Sequence, residues 1–486
     1  MIQFVNVTKI NKKFKEKERE RKMRKFKKWM TVVALVLAAI MVFVACGGNG
    51  GTTTAPDADT DVAADDTTDD APPADEAGDG EEPVTLRVTW WGNTTRDLLY
   101  QEINELFMAE NPHVTIVTES PGWGDYWTAI ATAYASGTAP DVVQFQSAQI
   151  GEFAAMGVMH PLQEFIDAGI LNVDDFEPGL LSTGVFNDEL YMITLGVTAV
   201  ALYVNQTYLD ELGIELWPED ADITWDEFEA FMADVQAELP DGAFALQDYS
   251  HNNDVIWAYV RQVTPEGVEW VNADGEFAPS LEAMSEWFDK IYRMRSEGII
   301  PDVALAHEHT QMAWEEGPFP NRQTLFLFAN ANQIGTHQAG TEDEIVFRRI
   351  PTNPDFYNLH GDFLITSSFA ISETSENKEL AAKYIDFFVN TLAAQQIFDF
   401  ELGIPGSLVI QDALLANASA TDIMQTEYVN SVASIFMPFM VKAPGVWAVQ
   451  DEIAGASQQV GAGAMTPEQA AQMIIDTAND LIRANQ

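Results

Sequence analysis

The chain has 486 residues, with 25 Lys and Arg against 75 Asp and Glu, a formal net charge of −50. Twelve of the basic residues but only three of the acids fall in the first 28 positions, so the chain from residue 29 onward carries 13 against 72, near −59. A surface of that sign repels nucleic acid and anionic headgroups, which excludes both as partners. The single cysteine, Cys46, excludes disulfides, thiolate metal sites and cysteine nucleophiles from the folded part.

Residues 9–28 are dense in Lys and Arg, residues 29–45 (WMTVVALVLAAIMVFVA) are uninterruptedly apolar, and Cys46 follows. These are the charged region, apolar region and exit of an export signal over residues 1–45. Seventeen apolar residues fall short of the ~20 that span a bilayer as a helix, with a retained anchor as the alternative. Either way the basic residues stay inside and the rest of the chain goes out. MRKFKK from Met23 would itself serve as the charged region, so Met1 and Met23 are both open as the start. FVAC at 43–46 resembles the lipobox of bacterial lipoproteins, with Phe43 where those proteins usually carry Leu. The resemblance implies a diacylated Cys46 on the outer side of the cell membrane. Two acyl chains, at ~0.8 kcal/mol per buried methylene, suffice for stable anchoring.

Residues 47–83 hold twelve acids, no base and no aromatic residue. Such a segment cannot bury enough surface to order itself and reads as a tether, spanning roughly 35 Å if flexible. Its DADTD run has calcium-loop spacing, but Val62 stands where the loop needs Gly, and no Glu closes it. From Val84 the composition becomes globular. Val84, Leu86, Val88 and Trp90 alternate with polar residues as in a strand with one buried face. A helix follows with Leu99, Ile103, Leu106 and Phe107 on one stripe, stopped by Asn111-Pro112. Then come a strand at 114–117, a helix around 126–135, a Gly-Thr-Ala-Pro turn and an apolar strand at 141–145. Strands alternating with helices imply an α/β fold whose parallel sheet is covered on both faces. Further on, Thr224 with Glu227 forms a capping box, a helix carries Leu380, Tyr384 and Phe388, and Thr466, Pro467 and Gln469 open the last helix. Roughly 400 globular residues exceed one core, so two lobes are expected.

At this point the sequence resembles the family 1 extracellular solute-binding proteins, which include maltose- and oligosaccharide-binding proteins. The resemblance rests on VTLRVTWWGN at the opening, ASGTAPDVVQFQSAQIGEFAAMGVMHPLQEFID at 135–167 and LYMITLGVTAVALYVNQTYLDELGIE at 190–215. FAISETSENKELAAKYIDFFVN at 369–390 and GIPGS at 403–407 complete it in order and spacing. It implies a two-lobed, periplasmic-binding-protein-like α/β fold with a ligand cleft between the lobes. Residues 84–197 with 370–435 would form one lobe and 200–364 with 442–486 the other. Hinge crossovers would lie near 196–201, 364–369 and 436–442. Closure about such hinges is a recognised mode of this class.

Sugars present hydroxyls at the rim and C–H faces above and below the ring, so a sugar cleft needs aromatic platforms and amides or carboxylates. Trp91 and Asn93 end the first strand, where open parallel sheets place ligands, and Trp123 and Tyr126 lie in the glycine-bearing loop PGWGDYW. Phe145 and Gln146 end the next strand, at a position that resembles an aromatic ligand contact of maltose-type binders. The acidic and basic residues expected after it are Ala148 and Gln149 here, which points away from maltose itself. In the second lobe, Trp257, Tyr259 and Trp447 occupy family-like aromatic positions, and Asn330 and Asn332 offer hydrogen bonds.

The chain has no HExxH, GxSxG, Walker loop or strand-led GxGxxG, and His307 with His309 is a bare HxH in a loop. The expectation is therefore a non-enzymatic, monomeric binding subunit of an ABC importer with no cofactor or metal. It would capture a carbohydrate and deliver it to the permease transmembrane subunits, with a separate ATPase supplying the energy. The alternatives are the same fold holding a polyamine, a peptide or a metal chelate, and an exported glycosidase, whose paired carboxylates 72 acids cannot rule out by counting.

Overall fold

The computed structural model describes residues 82–484 apart from 93, 266, 267, 269, 359 and 436–445. The export signal, Cys46, residues 47–81 of the tether, Asn93 and the third expected crossover lie outside the described residues, as does the side chain of Trp447.

The strands in chain order are β1 (Val84–Thr89), β2 (Val114–Glu119), β3 (Val142–Gln146), β4 (Val185–Phe186), β5 (Glu189–Leu190), β6 (Met192–Thr198), β7 (Val200–Asn205), β8 (Phe244–Leu246), β9 (Thr324–Asn330), β10 (Ile345–Arg348) and β11 (Ile365–Ile371). They form one five-stranded sheet, β2-β1-β3-β11-β6, one four-stranded sheet, β10-β7-β9-β8, and the hairpin β4-β5. The hairpin turns on Asn187 and Asp188, both at positive φ, as a two-residue turn matched to strand twist requires.

β1 runs parallel to β2 and β3, as the alternation of strands and helices predicts. The fully parallel sheet expected from the sequence does not extend further, because β11 is antiparallel to both β3 and β6. The reason is connectivity: β11 is reached from the second sheet rather than through a helix of its own layer. In the second sheet β7 is antiparallel to β10 and β9, and only β8 pairs parallel with β9.

Each sheet has its own core. On the first, Leu86, Val88 and Trp90 pack against Tyr100, Ile103 and Phe107 of the helix Thr94–Glu110 and against Phe388 and Phe398. Trp90 stacks on Tyr100 with centroids 4.0 Å apart, and its indole N–H donates to Asp97 Oδ1 at 3.0 Å. The second core gathers Trp225, Phe228, Tyr249, Tyr259, Trp287 and Phe328. Burying each such ring contributes roughly 1.5–3 kcal/mol. The helix Trp225–Glu238 opens with the capping box read from the sequence, Thr224 and Glu227 each satisfying the other's backbone N–H. Thr466 and Gln469 do the same before the helix Pro467–Ala484.

The chain leaves the first sheet at Thr198, enters the second at Val200, and returns at Ile365. A separate cluster fills this junction, with Val197, Ala199, Ala201 and Leu364 packed against Tyr428, Val429 and Val432 of the helix Ala420–Ile435. Tyr428 donates its hydroxyl to the carbonyl of Val200 at 2.6 Å. The segment around Gly403 is knitted to the end of β6, since Val197 and Ile404 exchange backbone hydrogen bonds of 2.8 Å. Gly403 holds φ +97°, and a Cβ there would stand 2.0 Å from the Val197 carbonyl oxygen. Only glycine permits that approach, and it sets the neighbouring residues Glu401 and Leu402 beside the junction.

Candidate functional site

A cavity of about 590 Å³ opens between the two sheets, at the ends of their strands. One wall comes from the first lobe. Trp91 and Gly92 follow β1, Arg96 lies in the first turn of the helix Thr94–Glu110, and Trp123 begins the helix Trp123–Ser136. Gln146 ends β3, and Leu402 belongs to the knitted loop. Trp91 is 6 % exposed and braced by perpendicular rings, Trp123 at 5.2 Å and Tyr126 at 5.4 Å. Trp123, 40 % exposed, is the exposed indole of this wall and also meets the Trp127 ring edge-on at 5.3 Å.

The second lobe supplies His251, Asn252, Asn253 and Asp254 at the start of the helix Asn253–Val263. Phe328, Ala329 and Asn330 come from the end of β9, with Asn332 and Gln333 from the turn that follows. Asn252 caps its helix by accepting from the N–H groups of Asp254 (3.0 Å) and Val255 (3.2 Å) and donates to the Phe328 carbonyl at 3.2 Å. Trp314 completes this wall and is 47 % exposed. Its ring lies nearly parallel to that of His337, with centroids 6.1 Å apart, and burial lowers the His337 pKa to about 4, so that imidazole is neutral. The crossover residues Thr198, Ile365 and Ser367 form the floor.

Asn332 ties the second lobe to the crossover and to the first lobe: it donates its backbone N–H to Thr198 Oγ1 at 3.2 Å and its Nδ2 to the Glu401 carbonyl at 2.9 Å. On the opposite side Arg96 is tied to Glu401 Oε1 and to the carbonyl of Trp91, all at 3.1 Å. The cavity thus offers two partly exposed indoles, a rim of amides and a cation that already holds a carboxylate. No group of His, Cys, Asp and Glu among the described residues is arranged to hold a metal ion.

Of the residues singled out from the sequence, Trp91, Trp123, Gln146, Asn330 and Asn332 meet in this cavity. Four others do not. Tyr126 is fully buried behind Trp91 and donates its hydroxyl to the Gln144 carbonyl at 2.7 Å, and burial holds its pKa well above the usual phenol value. Phe145 is fully buried against Phe153, 4.9 Å away, because strand alternation turns it to the face opposite Gln146. Trp257 and Tyr259 lie beyond the first turn of a helix buried on almost every side. Trp257 packs on Phe363 at 4.3 Å, and Tyr259 donates to the Ala283 carbonyl at 2.8 Å. Trp447 stands in the first turn of the helix Val446–Gly461.

Arg96, His251, Asn252, Trp314, Gln333 and Leu402 also line the cavity and were not anticipated. Arg96 had a readable signal, since no Lys or Arg occurs between it and Arg261. Asn252 had another, as an N-cap residue before an apolar run. Trp314 opens the one-turn 3-10 helix Trp314–Glu316 and Leu402 lies in a loop, and no local pattern fixes the course of either segment.

The family profile described as bacterial extracellular solute-binding protein matches residues 91–394. A Brucella abortus (strain 2308) chain named only as a binding protein is 27 % identical over 297 residues, covering 59 % of this chain and 67 % of its own length. Among solved structures, a periplasmic oligogalacturonide binding protein from Yersinia enterocolitica, in complex with saturated digalacturonic acid, superimposes with TM-score 0.72 at 21 % identity over 82 % of this chain and 99 % of its own. An ABC substrate-binding protein from Listeria monocytogenes, in complex with cycloalternan, gives TM-score 0.69 at 18 % identity over 82 % and 99 %. At these identities the likeness establishes the two-lobed fold. The profile match covers more than half of the chain, which therefore belongs to the bacterial extracellular solute-binding protein family, family 1. No helix among the described residues is long and apolar enough to cross a membrane.

Proposed function

We propose that this family member is the lipid-anchored, extracytoplasmic substrate-binding subunit of an ABC importer, and that it captures a sugar or short oligosaccharide between its lobes. The observation that carries this reading is the pairing of a partly exposed indole on each wall, Trp123 and Trp314, around a rim that includes Gln146, Asn330 and Gln333. Indole faces pack on sugar C–H faces, and amides both donate to and accept from hydroxyls. The carbohydrate ligands named for the Yersinia and Listeria proteins support the same class. A ligand that touches both walls binds the closed arrangement better than the open one and shifts the population toward closure. Micromolar affinity, about −8 kcal/mol, is adequate for capture. Delivery to permease subunits, energy from a separate ATPase and action as a monomer complete the proposal, with Cys46 as the anchor.

A thermal-shift screen of the purified domain across oligosaccharides, polyamines and peptides tests it. A ligand at 100 times its dissociation constant adds about 2.7 kcal/mol, so sugars should raise the melting temperature and emerge unchanged. Stabilisation by polyamines or peptides alone would replace the sugar with another solute. Cleavage products from the sugars would replace binding with hydrolysis.

A further inference from the structure

We infer that the cleft selects uncharged sugars over uronate-bearing ones and that Glu401 is the residue that sets this selectivity. The inference rests on the sugar reading above and concerns the charge of the ligand. Among the described residues that line the cavity, Arg96 is the only Lys or Arg. A carboxylate entering this space would look to it as counter-ion, since guanidinium matches carboxylate geometry and burial strengthens the pair.

Arg96 is already committed. Its side chain is 12 % exposed, Nε and Nη2 both lie 3.1 Å from Glu401 Oε1, and Nη1 donates to the Trp91 carbonyl. Glu401 is itself held from two directions: its carbonyl accepts from Asn332 of the opposite lobe at 2.9 Å, and its N–H donates to the Phe398 carbonyl at 3.2 Å. A ligand carboxylate must therefore displace the Glu401 carboxylate or share a guanidinium whose charge Glu401 already neutralises, and a charge left under-compensated out of water is costly. It would also face Asp254 on the opposite wall. The acidic chain as a whole adds repulsion to its approach. A neutral sugar meets none of these penalties, and the amides of the rim remain for its hydroxyls. Glu401 does not line the cavity, so it acts through Arg96 as a positioning residue.

Calorimetry with neutral gluco-, galacto- and xylo-oligosaccharides of two to four rings, each beside the uronate oligosaccharide of the same length, tests this on wild type and Glu401→Gln. The Gln change removes one charge and leaves the carbonyl that Asn332 holds. Wild type is expected to bind a neutral sugar and to bind its uronate counterpart at least about tenfold more weakly. E401Q should keep the neutral affinity within about threefold and gain about tenfold or more for the uronate. That gain should shrink at high salt and vanish in the double variant E401Q/Arg96→Gln, with thermal melts showing every variant folded. Wild type binding the uronate as well as the neutral sugar, or E401Q leaving the ratio unchanged, overturns the inference while the sugar reading stands. Binding of neither class by wild type overturns the sugar reading and this inference with it.

Discussion

The Nδ2 of Asn332 lies 2.9 Å from the carbonyl oxygen of Glu401 and joins the second lobe to the loop that closes the first. This bond spans the cleft, while the Asn332 backbone stays fixed to Thr198. Replacing Asn332 with Ala removes the span and leaves the crossover intact. The expected result is an affinity loss of about 0.5–1.5 kcal/mol, the net worth of one such bond, with little change in the melting temperature. Calorimetry on N332A that returns the wild-type affinity would show that the span plays no part in holding the closed cleft.

Trp257 separates packing from recognition. It is buried against Phe363, so Trp257→Ala should cost about 3–5 kcal/mol of folding stability through the cavity it leaves. Affinity, measured at a temperature where the variant is folded, should change little. Chemical denaturation beside calorimetry checks both, and a selective loss of binding would return Trp257 to the ligand site.

Asp362, in the segment that leads into β11, is 3 % exposed, and its carboxylate oxygens accept no hydrogen bond from another of the described residues. Burial pushes its pKa up to about 6, with Arg349 and Arg261 lowering it and Asp222 raising it. The unfolded value is near 3.9, so between about pH 4 and pH 6 the folded chain binds more protons than the unfolded one. Stability contributed by this group therefore falls as pH rises through that window, and the loss is complete above it. Asp362→Asn should match wild type near pH 4 and exceed it at pH 7.5 by an amount on the order of 3 kcal/mol. Denaturation at the two pH values measures the difference, and an equal gain at both would exclude the titration as its cause.

Cys46 and the acidic tether give a prediction that rests on the sequence. Labelling cells with radioactive fatty acid should mark wild type and leave Cys46→Ala unmarked. Removing residues 47–83 should leave the melting temperature within error, because twelve acids with no base or aromatic residue cannot build a core. Membrane retention without label in both proteins would contradict the lipid anchor, and a large fall in melting temperature would show the tether packing on the domain.

The fold was legible where local rules and global packing agree. The alternation of Leu86, Val88 and Trp90, the stripe of Ile103 and Phe107, and the caps at Thr224 and Thr466 each specify an element that packs as read. The direction of β11 was not legible, because it depends on the chain returning from the other lobe, which no window of local sequence contains. For the cleft, residues at the ends of β1 and β3 could be placed by the general rule for open sheets. Phe145 follows from alternation once Gln146 is set at the rim, since neighbouring strand residues face opposite sides of the sheet. Trp257 and Tyr259 needed the helix start at Asn253, which puts them past the turn that reaches the cavity. Trp314 and Leu402 depend on short segments positioned by tertiary contacts, the Gly403 approach to Val197 among them.

The central claim is that one ligand is held between two walls. Calorimetry with an identified sugar on Trp123→Ala and Trp314→Ala tests it most directly, since the two indoles come from opposite lobes and both are exposed. Each change should weaken binding by roughly 1–3 kcal/mol, and melts of the ligand-free variants should show them folded with a smaller loss of stability from the ring contacts removed. Wild-type affinity in both variants would contradict a ligand held between the lobes.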